Sequence, residues 1–232
     1  MSDSKTIGIV GGMGPEATVE FMSRIVRNTP AQDDEDHLRM LVDNNPKVPS
    51  RIKALIERTG SDPLPVLVGM AQGLQAAGAD FLVMPCNTAH HYHAALAGAV
   101  TIPFLSIVDI TLKCLATDWP EARRIGFLAS PAVQIVRVFD DRLEAAGLLP
   151  VHPEAAEAEQ LLQLIRDVKR GLTGTQQAAG FADLAKALMP RADLLLIACT
   201  ELSMLEMPQL GDFPVIDTLD LLVDATIATA KG

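Results

Sequence analysis

Two cysteine-centred stretches hold the residues most able to do chemistry: MPCNTAH, Met84 to His90, and IACTELS, Ile197 to Ser203. In each, an apolar run ends in a cysteine followed at once by Asn87-Thr88 or Thr200-Glu201. A single buried cysteine is ordinarily packing. Two in matching settings ask for a common explanation. A helix start behind each cysteine would offer hydroxyl and amide side chains to satisfy free amides, with the remaining donors forming an anion cradle. The same positive end lowers a thiol pKa from about 8.5 and makes a usable fraction of thiolate. Two thiols facing each other across a cleft suit one reaction: one thiolate removes a proton from carbon while the opposite thiol donates to the other face, inverting the centre. No cofactor is formally required, so stabilising the carbanion falls on the electrostatics of the site.

Strands alternating with helices position these groups. Thr6–Val10 reads as a short apolar strand running into GGMGPEAT, with Pro15 suited to the first position of a helix that carries Thr18, Phe21, Met22, Ile25 and Val26 at helical spacing. His37–Asp43 is a second strand, ending in NNPKVPSR. Helices are expected around Ser50–Arg58 and Pro63–Ala77. Asp80–Met84 is a third strand opening onto Cys86, and Pro103–Ile107 a fourth. The pattern then restarts: Arg124–Ala129 as a strand, Pro131–Ala146 as a helix, Asp193–Ile197 as a strand opening onto Cys199, and Pro214–Ile216 before a closing helix.

The repeat is quantitative. AGADFLVMPCNT aligns on PRADLLLIACTE at a constant offset of 113, pairing Asp80 with Asp193 and Cys86 with Cys199. Pro103 and Asp109 align with Pro214 and Asp220 at 111, and Ile7-Gly8 with Ile125-Gly126 at 118. Strands continuous in Val, Ile and Leu imply parallel sheets covered on both faces, with ligands beyond the carboxyl ends of the strands. The expected architecture is α/β in two pseudo-symmetric domains, each a parallel sheet flanked by helices, with the active site in the cleft between them. The domains would be 1–104 plus 213–232, and 105–212. Cys114 has no counterpart in the other half and reads as packing.

Composition narrows the class. The 232 residues are 49% apolar and 21% charged, enough for a core that needs no staples. MSDSKTIGIVGG lacks a basic segment followed by an apolar block, and no apolar run approaches the ~18 residues of a membrane span, so a cytoplasmic protein without a membrane partner is expected. Three cysteines without C-x-x-C spacing are expected as free thiols. The net charge of −10 argues against nucleic acid and repels small anions at long range, so an anionic substrate would need locally placed cations.

Two other chemistries fit less well. Gly12-x-Gly14-x-x-Ala17 superficially matches a dinucleotide turn, yet Asp43 lies 31 residues after Gly12 against about 20 expected for a ribose ligand. Cys86 and His90 are four apart, beside His91 and His93, but no second Cys/His cluster exists to complete a metal site. No metal is expected.

GIVGGMGPEAT, MPCNTAH, LASPAV (Leu128–Val133), VKRG (Val168–Gly171) and ACTE (Ala198–Glu201) together resemble the aspartate/glutamate racemase family, the cofactor-independent amino-acid racemases. The resemblance covers essentially the whole chain. Glutamate racemases of the cell-wall pathway tend to carry histidine where Glu201 stands, so the chain is more similar to the aspartate racemase branch. The resemblance implies that Cys86 and Cys199 are the two acid–base residues. It implies that Asn87, Thr88, Ser130 and Thr200 hold the substrate's α-carboxylate and ammonium region, and that Met13 lines the cleft by its backbone. Arg51 and Lys169 match positions that bind the side-chain carboxylate of an acidic substrate, and Glu201 is counted with the substrate-binding set. LASPAV departs from the family's Leu-Ala-Thr-x-x-Thr: Ser130 keeps the first hydroxyl and Val133 loses the second, which bears on substrate scope. The implied function is racemisation of aspartate or glutamate without pyridoxal phosphate, in a homodimer. Broad-specificity racemases, hydantoin racemases and maleate isomerases are the alternatives within the superfamily; a non-catalytic small-anion or nucleotide binder is the alternative outside it.

Overall fold

Each half of the chain opens with a glycine that only a glycine could fill. A Cβ on Gly8 would lie 2.5 Å from Leu82 Cδ2 and 2.8 Å from Ala79 Cβ; one on Gly126 would lie 2.6 Å from Leu195 Cδ2 and 2.9 Å from Ala192 Cβ. Leu82 and Ala79 stand 113 residues before Leu195 and Ala192. The repeat read in the sequence therefore reaches the packing itself.

The computed structural model describes residues 4–232. It falls into two compact units, one running to Ile110 and taking back Asp220–Gly232, the other spanning Thr111–Leu219. In the first, β1 (Ile7–Gly11) lies between β2 (Met40–Asn44) and β3 (Phe81–Val83), all parallel. In the second, β4 (Arg124–Ala129) lies between β5 (Leu149–Val151) and β6 (Leu194–Ala198), with β7 (Val215–Asp217) beyond β6, again all parallel. The matched aspartates hold the amino ends of the central strands. Asp80 Oδ2 accepts from Thr6 N at 2.6 Å. Asp193 Oδ2 accepts from Arg124 N at 2.8 Å, and with the Arg124 guanidinium on its other oxygen its pKa is held down at about 2.

Helices flank both sheets. α1 (Pro15–Asn28) starts at a proline and buries Ala17, Thr18, Phe21 and Ile25, while Val26 is left exposed at the edge of the apolar stripe. α2 (Leu64–Ala76) buries Leu67, Met70, Ala71 and Leu74. α3 (His93–Gly98) and α4 (Ile107–Asp118) complete the first half. In the second half α5 (Pro131–Ile135), α6 (Asp140–Ala145), α7 (Ala155–Val168) and α8 (Thr175–Leu188) precede the closing α9 (Thr218–Lys231). Leu161, Leu164, Ile165 and Val168 of α7 pack with Phe181, Leu184, Ala185 and Leu188 of α8 in one cluster that includes Cys199. Among the described residues, no helix is long and apolar enough to cross a membrane.

Three expected elements differ. Pro103–Ile107 makes only a single bridge, Leu82 to Phe104, because Ser106 already caps the following helix by accepting from Asp109 N at 3.1 Å. Pro131–Ala146 is two short helices, broken at Arg137, whose φ of 51° is left-handed; the break sends Phe139 into the core, 5.5 Å from the Phe127 ring. Within Ser50–Arg58 the helical part is a six-residue π-helix, Ile52–Glu57, ended by Arg58 at φ 53°.

Candidate active site

Parallel strands put their carboxyl ends on one edge of a sheet, and the residues that follow those ends gather there. In the first unit these are Gly12-Met13 after β1, the loop 45–50 leading to Arg51 after β2, and Met84-Pro85-Cys86 after β3. Gly12 is forced: it adopts φ +90°, and a Cβ would fall 2.2 Å from Asn45 O. Its amide donates to Thr18 Oγ1 at 3.0 Å, which in turn donates to Gly14 O at 3.0 Å, so the turn is tied to the first turn of α1. Met13 is buried in the same cluster as Cys86, Met70 and Tyr92. The guanidinium of Arg51 reaches back to its own loop, donating to Pro49 O at 3.1 Å. Among the described residues it makes no ion pair.

The Cys86 turn is tight. Cys86 N donates to Met84 O at 2.8 Å, and a 3₁₀ turn, Thr88–Tyr92, follows. Asn87 stands at the head of that turn without capping it through its side chain. On this side the expected helix start is a 3₁₀ turn that runs directly into α3, whereas Leu202–Met204 after Cys199 is three residues long and provides no helix dipole of useful length. His90 is buried. Its Nδ1 lies 2.9 Å from Cys86 O and its Nε2 receives Ile107 N at 3.1 Å; burial lowers its pKa to about 4. Both ring nitrogens are occupied by backbone. Among the described residues, no group of three or more His, Cys, Asp or Glu is arranged to hold a metal ion.

In the second unit, Ser130 follows β4, His152 follows β5, Cys199 follows β6 and Thr218 follows β7. Ser130 caps α5, its Oγ accepting from Ala132 N at 3.3 Å. Cys199 Sγ donates to Glu201 Oε2 at 3.2 Å, and the other oxygen of Glu201 receives the Lys169 ammonium. Lys169, at the C-cap of α7, thus meets a residue 32 positions later. Burial drives the Cys199 thiol well above its usual pKa, and the Glu201 charge pushes the same way against a smaller opposing pull from Lys169. A lowered thiol pKa was the expectation; with no long helix behind it, burial wins. The hydroxyl of Thr200, 1% exposed, makes no hydrogen bond among the described residues, which leaves a donor and an acceptor at the end of β6.

Two groups have no place in the sequence reading. Ser203 Oγ donates to Asp217 Oδ1 at 2.7 Å, both buried. His152 Nε2 lies 2.7 Å from Asp140 Oδ1, its ring stacked on Phe127. Ser203 carried one usable signal: it stands four residues after Cys199, as His90 does after Cys86.

Known proteins resemble this chain in sequence and fold. The sequence profile described as Asp/Glu/Hydantoin racemase matches residues 10–226. The broad specificity amino-acid racemase RacX of Bacillus subtilis (strain 168) is 26% identical over 227 residues, covering 96% of this chain and 97% of that one. The aspartate racemase of Picrophilus torridus superposes with a TM-score of 0.86 at 28% identity, over 97% of this chain and 94% of that one. A glutamate racemase of Francisella tularensis, solved with D-glutamate, shares the fold at a TM-score of 0.71 and 13% identity, over 97% and 81% of the two chains.

Proposed function

This chain belongs to the Asp/Glu/hydantoin racemase family of isomerases, and from that premise we propose that it racemises an acidic amino acid, aspartate or glutamate, without a cofactor. One observation carries the reading: the three strands of the first sheet have the same order as β5, β4 and β6 of the second, and in each the strand corresponding to β3 is followed by a cysteine at the same place in the repeat. Cys86 and Cys199 are the two acid–base groups, one taking the α-proton as thiolate while the other delivers a proton to the opposite face of Cα. Asn87, Thr88, Ser130 and Thr200 bind the α-carboxylate and ammonium region, with the backbone of Met13 beside them. The unengaged hydroxyl of Thr200 supports its share of that role.

Side-chain selection rests on Arg51 and Lys169. Arg51, whose guanidinium donates to the backbone carbonyls of Val48 and Pro49 and makes no ion pair among the described residues, keeps its charge available for a distal carboxylate. Lys169 is already bound to Glu201, and that pairing favours a second reading: with one of its two cations neutralised, the site also accepts uncharged side chains. The name of the Bacillus subtilis relative agrees with this second reading, and that of the Picrophilus torridus relative with the first.

Proton NMR in D₂O, without pyridoxal phosphate, decides between them. Loss of the α-proton signal from L- and D-aspartate or glutamate, with the opposite enantiomer appearing on chiral analysis, is expected. Comparable rates with alanine or lysine would establish the broad reading; exchange from no amino acid would overturn both. In the acidic reading, Arg51→Ala raises KM for aspartate about tenfold or more while hardly touching neutral substrates. Equal losses would remove Arg51 from the side-chain pocket.

A further inference from the structure

The residue four positions after each cysteine ties that cysteine's turn to a distant piece of backbone. In the first unit it is His90. Because Nε2 accepts the Ile107 amide at 3.1 Å, the single proton of the neutral ring sits on Nδ1 and is donated to Cys86 O at 2.9 Å. One imidazole therefore spans from the cysteine carbonyl to the first residue of α4. His93 stacks on the ring at 5.6 Å and itself binds Phe104 O at 3.0 Å, so the segment 104–107 is held at two points.

In the second unit the equivalent residue is Ser203, at the same offset of 113. Its amide donates to Cys199 O at 3.2 Å, and its hydroxyl donates to Asp217 Oδ1 at 2.7 Å. The same carboxyl oxygen accepts Leu219 N at 2.9 Å, and Thr218 Oγ1 donates to Ile197 O at 2.9 Å. The far end of this connection is the start of α9, as the far end of the other is the start of α4. Different chemistry thus makes the same mechanical link twice: a neutral imidazole between two backbone groups, and a hydroxyl on a carboxyl group.

We propose that His90 and the Ser203–Asp217 pair are positioning residues, each fixing the turn of one cysteine, His90 for Cys86 and Ser203–Asp217 for Cys199, and so each governing proton transfer at one face of the substrate carbon. The consequence for turnover rests on the two-cysteine reading above; the mechanical link does not. A group that only stabilised its unit would harm both directions of reaction alike. A group that aims one thiol harms proton removal from one enantiomer more than from the other, because a displacement of about 1 Å at a reacting group costs up to about a hundredfold.

The test uses the full chain carrying His90→Asn, Ser203→Ala, Asp217→Asn or the conservative Ser203→Thr, with circular dichroism confirming the fold. Iodoacetamide labelling of each cysteine is followed by peptide mass spectrometry, which requires no activity. His90→Asn is expected to change the labelling rate of Cys86 and leave Cys199 as it was. Ser203→Ala and Asp217→Asn are expected to do the reverse, with Ser203→Thr restoring the wild-type rate. In D₂O, His90→Asn slows α-proton exchange about tenfold more from one enantiomer than from the other, and Ser203→Ala shows the opposite preference. Both cysteines changing together, or equal losses from the two enantiomers, overturn the proposal. If the wild type exchanges with no amino acid, the racemase reading is lost and the labelling pattern alone decides the link.

Discussion

The two cysteine turns are equal in place and unequal in charge. Cys86 and Cys199 are each 6% exposed, each follows the strand beside the central one, and each turn is tied four residues on to the start of the next long helix. Exposure therefore does not distinguish them. The residue two positions on does: Thr88 after Cys86, Glu201 after Cys199. Burial raises the Cys199 pKa most, and a carboxylate accepting its proton, itself held by Lys169, pushes the same way and keeps that thiol protonated. In the proposed reaction Cys199 begins as the proton donor. The repeat gives two similar turns, and only the second carries a carboxylate two residues after its cysteine.

The comparison can be broken at several points. Replacing either cysteine by alanine is expected to reduce racemisation by about a thousandfold or more, since both proton transfers are needed for inversion. Full turnover by Cys199→Ala would reject the two-base scheme outright.

A smaller effect separates the two turns by pH. His90 titrates at about 4 in the fold against 6.5 for the free side chain, with His93 and Asp109 as its charged neighbours. The unfolded chain thus binds the extra proton first. His90 leaves stability untouched above pH ~6.5 and removes about 3 kcal/mol as the pH falls towards 4. Ser203, its counterpart, does not titrate. Denaturant melts of wild type and His90→Asn across this range measure the difference, which the variant should largely lose; identical pH slopes would contradict it.

The glycines test whether the halves are equivalent in packing. Gly8→Ala and Gly126→Ala each force a Cβ to within 2.6 Å of a core leucine, and each is expected to cost about 1–3 kcal/mol by thermal melting. A large loss at one and none at the other would show that the repeat is only topological.

The smallest effect bears on the difference itself. Glu201→Gln removes the charge that opposes the Cys199 thiolate. Iodoacetamide labelling of Cys199 should then begin at lower pH than in the wild type, with Cys86 unchanged. No shift would make burial the whole cause.

Much of this was legible along the chain, for identifiable reasons. The cysteines, the Asp80 and Asp193 anchors and the paired glycines all repeat at near-constant offsets, and a repeat is visible without coordinates. Leu161, Leu164, Ile165 and Val168 keep helical spacing, so α7 was within reach, whereas β5 is three residues long with a proline at its centre and carries no strand signal. The contacts that set the chemistry are long-range. Lys169 meets Glu201 across 32 residues, His90 meets Ile107 across 17 and Ser203 meets Asp217 across 14; each depends on which strand ends the sheet brings together. The thiol pKa expected to fall rises instead, because the length of the helix behind it and the depth of its burial are properties of the fold.

The central claim is that each cysteine serves one face of the substrate carbon. Its most direct test is α-proton exchange in D₂O by Cys86→Ala and Cys199→Ala, with L- and D-substrate offered separately. The account predicts that neither variant racemises, that each still exchanges the α-proton of a single enantiomer with retention, and that the two variants choose opposite enantiomers. Exchange of the same enantiomer by both variants, or inversion by either, would contradict it.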